Sequence, residues 1–100
     1  MSRRVIVRQE ARLDLEKAAL WYEEREAGLG WQLVLEVGAA IRRAGENPML
    51  CLKLRHRPEV RRVLARRFPY RILFIVREDA LVVFAIMHAA RHGSHWIKRL

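Results

Sequence analysis

The side chains of this sequence with chemistry to offer are three histidines within eight residues, His88, His92 and His95, and a dense group of arginines, Arg61, Arg62, Arg66 and Arg67. Imidazole titrates near neutrality, so the histidines suit proton transfer or metal ligation. Their spacing does not complete a recognised zinc site and no fourth ligand is evident, so no metal or other cofactor is expected. Arginine keeps its charge at any physiological pH; it is a poor base and a good holder of anions.

The basic residues are unevenly placed. Residues 1–52 carry eight Lys or Arg against eight Asp or Glu, whereas residues 53–100 carry twelve against three, so the net charge of +9 belongs to the second half. Such a field favours a polyanionic partner, whether RNA, DNA or an acidic protein segment, and speeds encounter without choosing among them. With 52% hydrophobic and 31% charged residues the chain is neither disordered nor low in complexity. Its 100 residues suffice for one core, and a single domain over 1–100 is expected. No apolar run approaches the roughly 18 residues of a membrane span, and the opening MSRRVIVRQEARL lacks an apolar signal segment. Cys51 is the single cysteine, which excludes an intrachain disulfide and points to a reducing compartment. The expected location is the cytoplasm.

The elements that must position these groups can be read from periodicity. Arg3 to Arg8, RRVIVR, fits a short strand buried on both faces near the centre of a sheet. From about Glu10 to Ala27 a helix places Ala11, Leu15, Ala18, Ala19 and Tyr22 on one face. Gly28 and Gly30 interrupt the chain, and Leu33, Val37, Ala40, Ile41 and Ala44 mark a second helix ending near Glu46, before Asn47 and Pro48. The two form an antiparallel hairpin. In residues 50–68 the spacing of Val60, Val63 and Leu64 after Pro58 suits a short helix, while the arginine-alternating run suits an edge strand. YRILFIVR and LVVFAIMH then read as two buried strands joined by a tight turn at Glu78 to Ala80, and the basic tail has room for one helical turn.

Four large apolar side chains fall outside this scheme. At 100° per residue, Leu13 and Leu20 lie opposite the core face of the first helix, and Trp31 and Leu35 opposite that of the second. They are expected to form a partner surface.

ARLDLEKAALWYE, GLGWQLVLEV, ENP, VRRVLARRFPYRILFIV and VVFAIMHAARHGSHWIKR, in that order, resemble the toxins of the ParE/RelE superfamily of bacterial type II toxin–antitoxin pairs, from Val5 to about Arg99. The resemblance implies an α+β fold, a twisted antiparallel sheet with an N-terminal strand and the two-helix hairpin packed on one face. It also implies a strand for Val60 to Arg66. Members stop growth by two routes: RelE-like toxins cut mRNA on the ribosome, and ParE-like toxins poison DNA gyrase without a known hydrolytic site. In both, an antitoxin with an acidic, partly disordered segment wraps the toxin, and Leu13, Leu20, Trp31 and Leu35 would meet it here.

Carried over along the motif, Arg62, Arg71 and Arg91 occupy basic positions matching those of the ribonuclease branch. RNA cleavage through the 2′-hydroxyl also needs a proton acceptor. Leu64 stands where that branch commonly places a further basic group, and the tail contains no tyrosine. His88, His92 and His95 are left as substitutes, His92 being the catalytic candidate, while the commoner role for His88 and Trp96 is to serve the framework. The sequence therefore favours a gyrase-directed toxin whose target is met by Arg61, Arg62, Arg66, Arg67, Arg71 and Arg91. A ribosome-dependent mRNA endonuclease is the alternative, followed by an inactive binding homologue.

Overall fold

Two unbroken apolar runs fix the centre of the molecule. They form β4 (Tyr70–Arg77) and β5 (Ala80–His88), joined by a tight turn in which Glu78 takes φ 54°. Ile72 to Ile75 and Ala80 to Met87 are buried without a break, because this hairpin is covered on both faces. The computed structural model describes residues 3–90 and 95–100; Arg91 and His92 lie outside the described residues. Around the hairpin are β1 (Arg4–Val7), α1 (Gln9–Arg25), α2 (Leu29–Glu46), β2 (Leu52–Leu54) and β3 (Arg57–Leu64), with 3-10 turns at Pro48–Leu50 and His95–Arg99. The sheet order is β1-β5-β4-β3-β2. Its pairs are antiparallel from β5 to β2, and β1 joins β5 in parallel. Among the described residues no helix is long and apolar enough to cross a membrane.

Both helices cover one face. Ala11 and Ala18 of α1 and Leu33, Val37, Ala40 and Ala44 of α2 pack on Ile72, Phe74, Leu81, Val83 and Ile86. The helices approach closely at Gly30, where a Cβ would stand 2.4 Å from the Ala19 carbonyl oxygen, so no larger residue fits without separating them. Glu23 closes the hairpin by accepting hydrogen bonds from the Gly28 and Gly30 N–H groups at 2.8 and 3.0 Å, which places a carboxylate at the positive end of α2. On the opposite face Val60, Leu73, Ile75, Val82 and Phe84 form a second layer, closed by Trp96 of the C-terminal turn, whose ring centroid lies 6.0 Å from that of Phe84. Trp96 thus serves the framework.

Two expectations are corrected. β1 is an edge strand, not a central one, with Val5 and Ile6 partly open to solvent. A run of three apolar residues marks a strand but does not reveal how many neighbours it has, and here only β5 pairs with it. In the ambiguous stretch the helix reading fails: β3 spans Arg57–Leu64, pairing with both β2 and β4. It ends before Arg66 because the chain turns there, with Arg67 at φ 72° and the Ala65 N–H donating to the Tyr70 carbonyl at 3.0 Å.

One contact joins distant parts of the chain. Along β5, Leu81 and Val83 face the helices, Phe84 and Ala85 both face the second layer, and Ile86 returns to the helices. The ladder accordingly skips Phe84, passing from Phe74↔Val83 to Leu73↔Ala85, which is a β-bulge. β1 pairing stops at Val83, so the β5 edge beyond it needs other partners. Asp14 of α1 accepts from the Ile86 N–H at 3.0 Å and from Arg99 at 2.6 and 3.1 Å, while Arg99 donates to the Phe84 carbonyl at 3.0 Å. Arg8 in turn donates to the Arg99 carbonyl at 2.6 Å. The hydrogen bond to Asp14 raises the Arg99 pKa above its ordinary value, keeping the guanidinium charged wherever the fold survives. Asp14→Ala removes the acceptor from both Ile86 and Arg99 and is expected to lower stability by about 1–3 kcal/mol. Urea unfolding of the purified protein measures it; an unchanged midpoint would show the contact to be idle.

Candidate target-facing surface

The pleat of β3 and β4 sorts the arginines between two faces. Val60 lies in the helix-free layer, and so Arg62 and Leu64 share its side, while Arg61 and Val63 face the helices. Arg62 pairs across the strands with Leu73, and Arg71 with Leu64, on this same helix-free face. Two of the six arginines singled out from the sequence are therefore brought together as diagonal neighbours, a spacing of roughly 7–8 Å between such positions.

The other four are placed differently. Arg61 donates to the Met49 and Cys51 carbonyls at 3.3 and 2.9 Å, so it holds the chain ahead of β2 against β3. Arg67 donates to Gln32 of α2 at 3.0 Å. Arg66 is exposed in the turn before β4, and Arg91 is outside the described residues, as is His92. Arg43, which the sequence reading did not use, reaches from α2 to the Leu64 carbonyl at 2.9 Å.

His88 alternates with Met87 and therefore falls on the helix side. Its ring meets Tyr70 edge-on at 5.4 Å, and its Nδ1 accepts from the Ala90 N–H at 3.0 Å. It is a framework histidine, separated by the sheet from Arg62 and Arg71. Burial raises the pKa of the Cys51 thiol, outweighing the opposing influence of Arg61 and Arg43, so Cys51 is a poor nucleophile at neutral pH. Among the described residues no group of three or more His, Cys, Asp or Glu could hold a metal ion.

The outer side of the helical hairpin carries a second surface. Leu13, Leu20, Trp31 and Leu35 are all exposed, Trp31 by 64%. Trp21 is exposed beside them in sequence, with the Arg25 guanidinium 3.4 Å above its ring. The helical phase that assigns Leu33 and Val37 to the core also leaves the four outside, so this surface was legible in the sequence. Leu52, which pairs with Arg62 from β2, was missed; its only local signal is the alternation Leu50, Leu52, Leu54.

A two-helix hairpin on one face of a five-stranded mixed sheet is an α+β fold of the RelE/ParE type. Residues 5–93 match the family described as ParE toxin of type II toxin-antitoxin system, parDE, and the chain belongs to that family. It is thus a toxin component of a type II toxin–antitoxin system. Among solved structures it resembles a chain of the chromosomal ParDE toxin–antitoxin system of P. aeruginosa, with TM-score 0.77, 15% identity, and coverage of 87% of this chain and 96% of that one. It also resembles a double arginine-to-alanine mutant of the E. coli toxin RelE in the free state, with TM-score 0.61, 20% identity, and coverage of 100% and 99%. No curated protein sequence matches the chain.

The assignment of Arg61 to the framework has a direct consequence. Arg61→Ala is expected to cost about 1–2 kcal/mol, from the loss of charged hydrogen bonds at a partly exposed site, and to speed alkylation of Cys51 as β2 loosens. Thiol-labelling rates on the folded variant read this out; an unchanged rate with unchanged stability would assign Arg61 elsewhere.

Proposed function

We propose that this toxin stops growth by poisoning DNA gyrase in the cytoplasm, without hydrolysing a bond, and that a cognate antitoxin neutralises it. The supporting observation is the company kept by Arg62 and Arg71. Their cross-strand partners on the helix-free face are Leu52, Leu64, Leu73 and Met87. These arginines can hold an anion, and none of those four partners can accept a proton. His88 turns to the other side, and Trp96 is packed against Phe84. The family match to ParE toxins points the same way, since the ParE-like branch is the one that resemblance links to gyrase. The mRNA endonuclease reading rests on Arg62 and Arg71 together with Arg91 and His92.

The antitoxin reading rests on the exposed faces and on charge. An amphipathic antitoxin helix fits the outer side of α1 and α2 at Leu13, Leu20, Trp31 and Leu35, and an acidic, partly disordered segment complements the basic second half. The ParDE system that contains the structural neighbour pairs a toxin with an antitoxin, which supports this reading.

Expression of the toxin alone is expected to produce filamentation and DNA-damage signalling with bulk mRNA intact, and Arg71→Ala with Arg91→Ala to relieve it. Rapid codon-periodic cleavage of translated mRNA would reverse the assignment in favour of the endonuclease. For the antitoxin, Trp31→Ala with Leu35→Ala is expected to weaken affinity by roughly 1.5–3 kcal/mol for each large side chain that becomes buried. Calorimetry on the folded double variant measures this; an affinity within about twofold of wild type, a difference near 0.4 kcal/mol, would make the patch idle surface.

A further inference from the structure

The helix-free face of β2, β3 and β4 alternates guanidinium with leucine. The register sets Leu52 and Leu73 on either side of Arg62, and Leu64 and Met87 on either side of Arg71. Leu73 and Met87 are buried in the layer closed by Trp96, but Leu52 is 63% exposed and Leu64 49%. Leu50, in the 3-10 turn two residues ahead of Leu52, is 81% exposed. Glu59 is the one acidic residue of the three strands. It pairs with Arg57 at 3.6 Å, in the irregular part of β3 where Arg57 stands opposite Leu54, away from the Arg62 and Arg71 positions. Around Arg62 and Arg71 the face therefore offers cations and leucines, with no carboxylate directly opposite either arginine on the neighbouring strands.

A nucleic-acid backbone is a poor match for this pattern. Phosphates are gathered by basic and small polar groups, and a leucine next to each arginine would face phosphate and sugar without an apolar partner. A protein surface with carboxylates set between apolar side chains matches both components, and an apolar centre with arginines is what protein interfaces favour. We propose that this face docks an acidic, apolar protein surface of the toxin's target, with carboxylates opposite Arg62 and Arg71 and apolar side chains against Leu52 and Leu64. The proposal rests on the target-facing role given above to Arg62 and Arg71, and it narrows that role from anion binding to protein recognition.

Replacement of the leucines by lysine separates the two partner classes by sign. The double variant Leu52→Lys, Leu64→Lys adds charge that a nucleic-acid surface would welcome and a protein interface would not. Its toxicity on expression without antitoxin is expected to fall at least tenfold in the dose needed for half-maximal growth inhibition, while binding of the purified variant to a 30-base-pair duplex stays equal or rises. The neutral variant Leu52→Gln, Leu64→Gln should lose toxicity as well, which separates the lost apolar contact from repulsion among cations; unfolding midpoints of both variants confirm that they fold. Toxicity retained or increased in the lysine variant would overturn the proposal and assign the face to nucleic acid. Dissociation of a wild-type dimer by either variant, with toxicity intact, would equally overturn it and assign the face to a second copy of the chain. Supercoiling assays with purified gyrase keep the two levels apart. If the wild-type toxin leaves gyrase unaffected but both leucine variants lose toxicity, the gyrase assignment falls and the docking face stands. If wild type and variants inhibit gyrase equally, the assignment stands and the docking face falls.

Discussion

The structure depends on how the open edge of β5 is closed. A strand in the interior of a sheet must satisfy its backbone groups on both sides, yet β1 ends at Val7 and leaves β5 without a strand neighbour after Val83. The Phe84 bulge also sets two consecutive side chains on the helix-free side. Asp14 and Arg99 take the place of the missing strand, one from α1 and one from the C-terminal turn, and they neutralise each other in doing so. An ion pair so placed contributes less through its Coulomb energy than through the hydrogen bonds it provides to Ile86 and Phe84. It also fixes the tail. With Arg99 held and Trp96 seated on Phe84, the last turn closes the second apolar layer, so both faces of the β4–β5 hairpin become interior.

That closure gives the molecule two unlike outer surfaces. The helical hairpin shows leucine and tryptophan on a largely neutral half of the chain, whereas the opposite side of the sheet shows arginine and leucine on the half that carries the excess charge. The separation is mechanical as well as chemical, because the sheet and both apolar layers stand between them.

The basic residues show how a shared composition divides into separate tasks. Arg61, Arg62, Arg66 and Arg67 form one cluster in sequence, but the pleat and the turn before β4 send them to different places. Arg61 secures the carbonyls ahead of β2, Arg67 reaches Gln32 on α2, and Arg62 remains on the helix-free face. A guanidinium has enough donors to serve as a backbone clamp as readily as an anion site. The density of arginines is thus a measure of the field around the second half and not a count of groups directed at a target.

Sequence alone determined the two helices and their sides, because period and phase are local properties: Leu33, Val37, Ala40 and Ala44 point inward, and Trp31 and Leu35 outward, whatever the helix packs against; β2 it did not reveal. It also determined the β4–β5 hairpin, whose apolar runs are too long to be left uncovered. Family resemblance supplied the strand reading of the stretch after Pro58, where periodicity was silent. Only the tertiary structure decided the neighbours. β1 proved to be an edge because strand order depends on contacts across 70 residues and more, which a run of three apolar residues does not encode. Asp14 and Arg99 stand 85 residues apart, and nothing in the spacing of either predicts the other. The faces of Arg61 and Arg62, and the leucines beside Arg62 and Arg71, follow from register: a slip of one residue would exchange them, and register is set by the packing of the whole sheet.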